Sequence, residues 1–320
     1  MSAWAWVPLI MALIAPLVGP RIVRSLPPAA AVRLATIVAI AIAASTGLVL
    51  AIAAELTLAQ VEEITHAEFT RGVARASVIS LVVGGVAAVA VTVLALAAVL
   101  SVMRSAHQLL QASRQARHLG EARSGLVVVQ DPTPAAFAVT GHPGRVVVST
   151  AMLGALNCKE REVLLAHENA HLRHHHQVYI QLAALAAAAN PLLKPLVAPV
   201  RTNTERWADE TAAAQVGDRR LVARAVARAA LASHAHAPGQ PWPPVSPMLG
   251  SRSDESESEI AQRVQCLLDP PVRRSGGLTA LVLATAIACT AAGGAAAVVG
   301  HAKVERIEAA ATTVDDGPGR

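Results

Sequence analysis

Residues 77–103, SVISLVVGGVAAVAVTVLALAAVLSVM, are the stretch that decides the fold class. They contain no charged side chain, and about 20 apolar residues are enough for a helix to cross a bilayer. Similar stretches lie at 34–54 and 278–300, and a weaker one at 3–20 is interrupted by two prolines. The sequence therefore predicts an α-helical, polytopic membrane protein with about four transmembrane helices.

The composition of the whole chain supports this class. Hydrophobic residues make up 53% of the 320 residues and charged residues only 15%, whereas a soluble domain carries about 25% charged residues. The net charge of +5 could indicate nucleic acid, but aromatic residues amount to 2% and offer no platform for stacking bases. Basic residues that flank membrane spans give the same positive excess. We therefore expect a lipid bilayer as partner and no direct nucleic acid binding.

The charges between the spans predict their orientation. Arg21, Arg24 and Arg33 lie in the first connection without an acidic residue, which places this connection in the cytoplasm by the positive-inside rule. The second connection is rich in glutamate and can lie outside. Arginines follow the third span and precede the last, so the long segment between them is expected in the cytoplasm. Abundant Ala, Val and Arg with little Lys is typical of a GC-rich bacterial genome, so we expect a bacterial cell membrane.

These expectations divide the chain into four parts. Residues 1–103 would form an N-terminal membrane region with three spans, and residues 104–277 a cytoplasmic module. Residues 278–300 would form the last transmembrane helix, and residues 301–320 a short extracytoplasmic tail.

The cytoplasmic module shows the pattern of an inserted α+β fold. Three short β-branched runs are expected to form strands, with helices around them: strands at 126–130, 136–140 and 145–149, helices at 104–123, 218–236 and 259–268. Further helices should begin at Thr150 and after Asn157, where Glu160 completes a capping pair. Four arginines are expected on a solvated helix face: Arg219, Arg220, Arg224 and Arg228. Residues 178–200 are apolar but broken by prolines, which leaves open whether they contact lipid.

The most informative motif is HENAH, at residues 167–171. His167 and His171 are four residues apart, so a helix places both imidazoles on one face, about one turn apart. Two nitrogens in that position can bind one zinc ion. Glu168 lies beside the first histidine, where its carboxylate can take a proton from a water molecule that zinc activates. The motif predicts a catalytic zinc site; the alternative is an accidental histidine-rich turn.

A catalytic zinc needs a third protein ligand, which leaves one position for water. The best candidate is Glu205, on a predicted helix that follows the irregular apolar stretch. Asp209 lies one turn further on and is expected to orient a ligand imidazole through a hydrogen bond. Glu210 is a competing ligand candidate, but it points elsewhere on the helix. The alternative is an ordinary solvated acidic helix.

Other residues of the module are weaker candidates for a role at this site. Three consecutive histidines past the metal turn are expected to form a polar patch at a helix end near the membrane: His174, His175 and His176. The second predicted strand could pair with an extended substrate by β-addition, which makes three of its residues candidates for substrate binding: Ala136, Phe137 and Ala138.

Several stretches of the chain resemble one known family. They are PAAFA at 134–138 with VVVSTAML at 146–153, HENAH with the histidines after it, NPL at 190–192 with ERWADE at 205–210, and RVQCLLDP at 263–270. Together they are similar to the BlaR/MecR-type antirepressor membrane metallopeptidases, which are HExxH gluzincins. The HtpX-like membrane peptidases share the HExxH and ExxxD elements.

The resemblance implies zinc ligands at His167, His171 and Glu205, with Glu168 catalytic and Asp209 supporting. It also implies a zincin-like peptidase in the cytoplasm that cleaves a DNA-binding repressor, or itself, after an external signal. Well-known members carry a penicillin-binding sensor after the last span, whereas about 20 residues follow it here, too few for such a fold. We therefore expect the signal to come through a separate sensor protein, the short loops or the bilayer.

The expected function is that of a membrane-embedded, regulatory zinc metalloendopeptidase with a protein substrate. Two alternatives stay open: an HtpX-like protease for the quality control of membrane proteins, and a non-catalytic membrane receptor or scaffold.

Overall fold

The structure is a computed structural model, and it describes residues 6–71, 78–118, 125–140, 144–235, 257–271 and 276–315. Within these ranges the chain forms ten α-helices and three strands. The helices are α1 Trp6–Arg24, α2 Pro28–Arg71, α3 Val78–His118, α4 Thr150–Ala155, α5 Cys158–Arg173, α6 His176–Ala189, α7 Val197–Val216, α8 Arg219–His234, α9 Glu257–Leu268 and α10 Gly276–Asp315. The strands are β1 Leu126–Val129, β2 Ala136–Val139 and β3 Arg145–Ser149, and a 3-10 helix covers Pro191–Leu196.

Four helices contain segments long and apolar enough to cross a membrane: Trp6–Arg24, Pro28–Leu56, Gly85–His107 and Gly276–Arg306. The prediction of a mainly helical chain with about four candidate membrane spans is confirmed, and a membrane protein is consistent with it. Of the four segments, the third is the least buried, and its Val86 and Val93 expose 64% and 57% of their surface. A row of exposed valines is unfavourable in water and expected against lipid.

Two of these helices continue well beyond their apolar segments. α2 extends to Arg71, so the glutamate-rich connection expected after the second span is helical up to that residue. α3 extends to His118 and covers most of the helix expected at 104–123. The residues that follow each helix, 72–77 and 119–124, lie outside the described part of the chain, as do residues 141–143 between the second and third predicted strands.

The three predicted strands are confirmed and form one small sheet in the order β1-β3-β2. β3 pairs parallel with β1 and antiparallel with β2, so that Val147 lies opposite Val127 on one side and Phe137 on the other. β2 is therefore an edge strand of the described sheet. Ala136 of β2 shares a buried cluster with Leu164 of α5, which places this helix against the sheet.

The helix that carries HENAH begins where the sequence predicts. The side chain of Asn157 accepts a hydrogen bond from the Glu160 backbone N–H, and the Glu160 carboxylate accepts one from the Asn157 backbone N–H, both at 3.0 Å. This reciprocal capping box satisfies two backbone donors at the helix start. α5 then packs against α7 through small side chains, since Ala166 and Ala212 share one buried cluster.

The apolar stretch at 178–200 forms most of α6, the 3-10 helix and the start of α7. Asn190 ends α6, and its side chain accepts a hydrogen bond from the backbone of Leu192 at the start of the 3-10 helix. Leu193 is buried in a cluster with Ala12 of α1 and Ile42 of α2. This stretch therefore packs against helices that carry apolar spans, and it joins the module to them.

The prediction of a solvated arginine face on α8 is wrong for Arg219. Its guanidinium donates hydrogen bonds to the Cys266, Leu267 and Asp269 carbonyls at the end of α9 and pairs with Glu210. These groups are the unpaired carbonyls that every helix leaves at its C-terminus. Arg219 therefore attaches the end of α9 to the module. Arg220 and Arg224 are exposed, as predicted.

Candidate metal centre

The two histidines of HENAH converge on one point. Both lie on α5, and their Nε2 atoms are 3.0 Å apart. His167 is 2% exposed, and the side chain of His171 is 18% exposed. The second histidine thus lies at the open side of the pair, where a small molecule could approach.

Glu205 of α7 brings a carboxylate to the same point. Its Oε2 lies 3.3 Å from His167 Nε2, and its Oε1 lies 3.5 Å from His171 Nε2. Two nitrogens and one carboxylate, all within 4.8 Å of one another, form a group that could hold a metal ion. Within the described residues, the structure thus brings together the three groups that the sequence singled out as candidate ligands.

The spacing of the three groups fits zinc. Bonds of about 2.0–2.1 Å in a tetrahedral arrangement place neighbouring ligand atoms about 3.3 Å apart. The two nitrogens are 3.0 Å apart, and they lie 3.3 and 3.5 Å from the two different oxygens of the Glu205 carboxylate. Imidazole nitrogen and carboxylate oxygen are also the donors that zinc takes in sites with three protein ligands.

Asp209 supports the first histidine from behind. Its Oδ1 lies 2.9 Å from His167 Nδ1, the ring nitrogen that faces away from the candidate metal position. A proton held on Nδ1 leaves the Nε2 lone pair for a metal. Asp209 is 1% exposed, and its own charge is balanced by Arg263 of α9, whose Nε and Nη2 each lie 2.8 Å from a carboxylate oxygen.

The surroundings keep both carboxylates ionised. Burial alone would raise the pKa of Asp209, but the charge and hydrogen bonds of Arg263, together with His167, hold it well below its usual value. Burial would likewise raise the pKa of Glu205, and the charge of His171, the hydrogen bonds of both imidazoles and the charge of Arg263 hold it well below. Both groups are therefore anions at neutral pH, as a metal ligand and its supporting acceptor must be.

His176 supports the second histidine, which the sequence did not indicate. Its Nδ1 lies 3.1 Å from His171 Nδ1, and the side chain is fully buried. Burial, followed by the charge of His171, lowers the pKa of His176 to about 2, so the ring is neutral. The expectation of a polar patch is therefore wrong for this residue.

A break in the helix brings His176 to this position. His175 adopts the left-handed conformation, with φ of 52°, between the end of α5 and the start of α6. On an uninterrupted helix, a residue five positions after His171 would lie on another face. The reversal at His175 turns the chain, so that His176 returns to the second ligand candidate.

An aromatic stack lies behind His176, formed by His174, His176 and Trp207. The ring of Trp207 lies 4.7 Å from each of the two imidazoles, and it stacks on His174 at an interplanar angle of 24°. The guanidinium of Arg33 on α2 lies 4.7 Å above the same indole ring. The aromatic stack therefore connects the candidate metal centre with the helix that carries the second apolar span.

The remaining predicted residues do not belong to the three candidate ligands. Glu168 is 4% exposed and follows His167 on α5. Ala136, Phe137 and Ala138 belong to the edge strand β2, which packs on α5. Glu210 binds Arg219 and does not join the histidines.

Four helices apolar enough to cross a membrane and a partly buried group suited to a metal ion indicate a membrane protein with a candidate metal centre. A family model described as BlaR1 peptidase M56 matches residues 1–267, and the chain belongs to this family. It is thus a membrane-associated metallopeptidase, and the family implies a metal cofactor. Among curated proteins and among solved structures, none matches the chain.

Proposed function

We propose that this chain is a regulatory zinc endopeptidase of the HExxH gluzincin type. It would cleave a transcriptional repressor, or itself, in the bacterial cytoplasm in response to a signal. The observation that carries the proposal is the convergence of His167, His171 and Glu205 at separations of 3.0–3.5 Å. In our proposal these three residues hold zinc, and Asp209 fixes the orientation of the first imidazole.

Each residue then has a defined part in peptide hydrolysis. When bound, zinc polarises the scissile carbonyl and lowers the pKa of water. Glu168 takes the proton of the attacking water and delivers it to the leaving amine. The edge strand β2 offers its backbone to an extended substrate, with Ala136, Phe137 and Ala138 beside the cleaved bond.

The membrane arrangement supports a regulatory role. The candidate centre is connected to α2 through the aromatic stack and Arg33. The arginine-rich connection between the first two spans favours a cytoplasmic position for the side of the protein that carries the candidate centre. A signal from a separate sensor protein or from the bilayer could therefore reach the peptidase through the membrane helices.

The decisive experiment replaces the general base and leaves the metal ligands unchanged. Glu168→Gln should still bind one zinc ion per chain, while hydrolysis falls by about 10²–10⁴-fold because proton transfer is lost. The matched control is Glu162→Gln, the same substitution at an exposed position of α5. Zinc is measured by elemental analysis, and cleavage by comparing the proteins that accumulate in cells carrying each variant.

The identity of the accumulating proteins separates the possible functions. One repressor that accumulates with Glu168→Gln, but not with Glu162→Gln, supports the proposal. Accumulation of many membrane proteins would instead assign the chain to quality control. An unchanged proteome with Glu168→Gln would contradict both peptidase functions.

A further inference from the structure

Arg263 is the largest side chain in the described residues that is almost fully buried, with 2% exposed. It lies on α9, whereas the candidate ligands lie on α5 and α7. Burying a guanidinium is costly unless acceptors replace the lost water. The groups that accept from Arg263 therefore indicate why a charge is kept at this position.

One guanidinium contacts both carboxylates of the candidate metal centre. Nε lies 2.8 Å from Asp209 Oδ2, and Nη2 lies 2.8 Å from Asp209 Oδ1, so this contact is bidentate. Nη1 lies 3.4 Å from Glu205 Oε2. A planar guanidinium with two such partners fixes the orientation of each carboxylate, which a lysine ammonium cannot do in the same way.

These contacts close an ionic ring of four residues: His167, Asp209, Arg263 and Glu205. Asp209 Oδ1 is shared between His167 Nδ1 at 2.9 Å and Arg263 Nη2 at 2.8 Å. Glu205 Oε2 is shared between Arg263 Nη1 at 3.4 Å and His167 Nε2 at 3.3 Å. Each member of the ring thus limits the positions of its two neighbours.

We propose that Arg263 is the positioning residue of the metal centre. It turns Asp209 so that Oδ1 faces His167, and it holds the carboxylate of Glu205 toward the two imidazoles. The inference rests on the proposed zinc function and adds a further helix-borne group that prepares the site for the ion. Its action goes through Asp209 and Glu205, and it does not itself touch a metal or a substrate.

A purely structural role is the competing explanation, because Arg263 also joins α9 to α7. The chain offers a matched control in Arg219, which binds three carbonyls at the end of α9 and pairs with Glu210. Arg219 attaches the same helix but has no contact with the ionic ring among the interactions described for it. A variant of Arg219 therefore reproduces the loss of helix attachment without the loss of positioning.

The test compares Arg263→Gln, Arg263→Lys and Arg219→Gln in the full chain in detergent. Zinc affinity is measured by competition with a chelator, ligand geometry by the visible absorption of the Co²⁺-substituted protein, and stability by thermal unfolding of the metal-free chain. Arg263→Gln should lose about 10–100-fold in zinc affinity, as expected when a group that orients a ligand is removed, with an altered Co²⁺ spectrum. Arg263→Lys should fall between this variant and the wild type.

Arg219→Gln should lower the unfolding temperature and leave zinc affinity and the Co²⁺ spectrum unchanged. Wild-type zinc affinity in both Arg263 variants would overturn the inference, as would an equal loss of affinity in Arg219→Gln. If Arg263→Gln does not fold, Arg263→Lys decides, since it keeps the charge and loses only the planar contact. A wild-type chain that binds no zinc would overturn the proposed function together with the inference. If the wild type binds zinc and the Arg263 variants bind it equally tightly, only the inference is overturned.

Discussion

The two histidines of the candidate centre are supported by different chemistry. His167 belongs to the ionic ring, in which two carboxylates face one guanidinium. Behind His171 lies the aromatic stack. The neutral ring of His176 contacts His171 on one side and Trp207 on the other. One support is thus made of charges and the other of packed rings.

The difference also concerns where each support is attached. The ionic ring is built from α5, α7 and α9; His167, Asp209 and Arg263 are buried, and the side chain of Glu205 is 15% exposed. The aromatic stack contacts Arg33 of α2, whose first 29 residues form an apolar span. The comparison teaches that one candidate ligand is held by a network of α5, α7 and α9, while the other is held by contacts that extend to a helix with an apolar span.

The largest expected effect comes from breaking the ionic ring. Asp209→Ala leaves Arg263 and His167 buried without their shared partner, which should lower the free energy of unfolding by about 3–5 kcal/mol. Chemical denaturation of the metal-free chain in detergent measures this loss. The control Glu210→Ala removes the neighbouring acid, whose pair with Arg219 is only partly buried and worth about 0–1 kcal/mol. Equal losses in the two variants would show that the ionic ring stabilises the fold no more than the partly buried pair of Glu210 and Arg219.

A smaller effect is expected from a change of His176, which supports the second histidine. His176→Phe keeps a ring against Trp207 but removes the acceptor that faces His171 Nδ1. Zinc affinity should fall by about 10–100-fold because the second ligand loses its orienting partner, while the unfolding temperature changes little. Competition with a chelator measures the affinity. If His176→Phe binds zinc as tightly as the wild type, the aromatic stack contributes only to packing and does not orient His171.

The smallest effect is expected at the contact with the membrane helix. Arg33→Gln removes the cation above Trp207 and should cost about 0.5–1 kcal/mol of unfolding free energy. Arg21→Gln serves as control, because the guanidinium of Arg21 donates to the Leu17 carbonyl within its own helix. Thermal unfolding of both variants in detergent provides the measurement. A loss of unfolding free energy in Arg33→Gln as large as that in Asp209→Ala would contradict the expectation that the ionic ring stabilises the fold more than the aromatic stack.

Much of the fold follows from local patterns in the sequence. Long apolar stretches and short β-branched runs predicted the four spans and the three strands, because burial against lipid or against a helix imposes these patterns directly. The helical continuation of α2 to Arg71 was not expected, whereas the helix expected at 104–123 is continuous with the third span in α3. A helix satisfies its own backbone hydrogen bonds and can continue in water without an apolar face.

The candidate site was accessible to sequence reasoning only in part. The spacing of His167 and His171 places both rings on one helix face, and the structure brings Glu205 to them. The role of His176 depends on the left-handed backbone of His175. Glycine is the usual residue in this conformation, and a histidine at the position gives no sign of it in the sequence. Arg263 lies 54 residues from Asp209, so no local spacing could connect them, although RVQCLLDP contributed to the family resemblance.

The length of α2 has a mechanical consequence. Its 44 residues measure about 66 Å, roughly twice the thickness of a bilayer's hydrocarbon core. Arg33 lies in the second turn of this rod, and the opposite end projects past the apolar span. A tilt imposed at the far end therefore displaces the cation above the indole ring. The helix therefore provides a lever between its far end and the candidate metal centre.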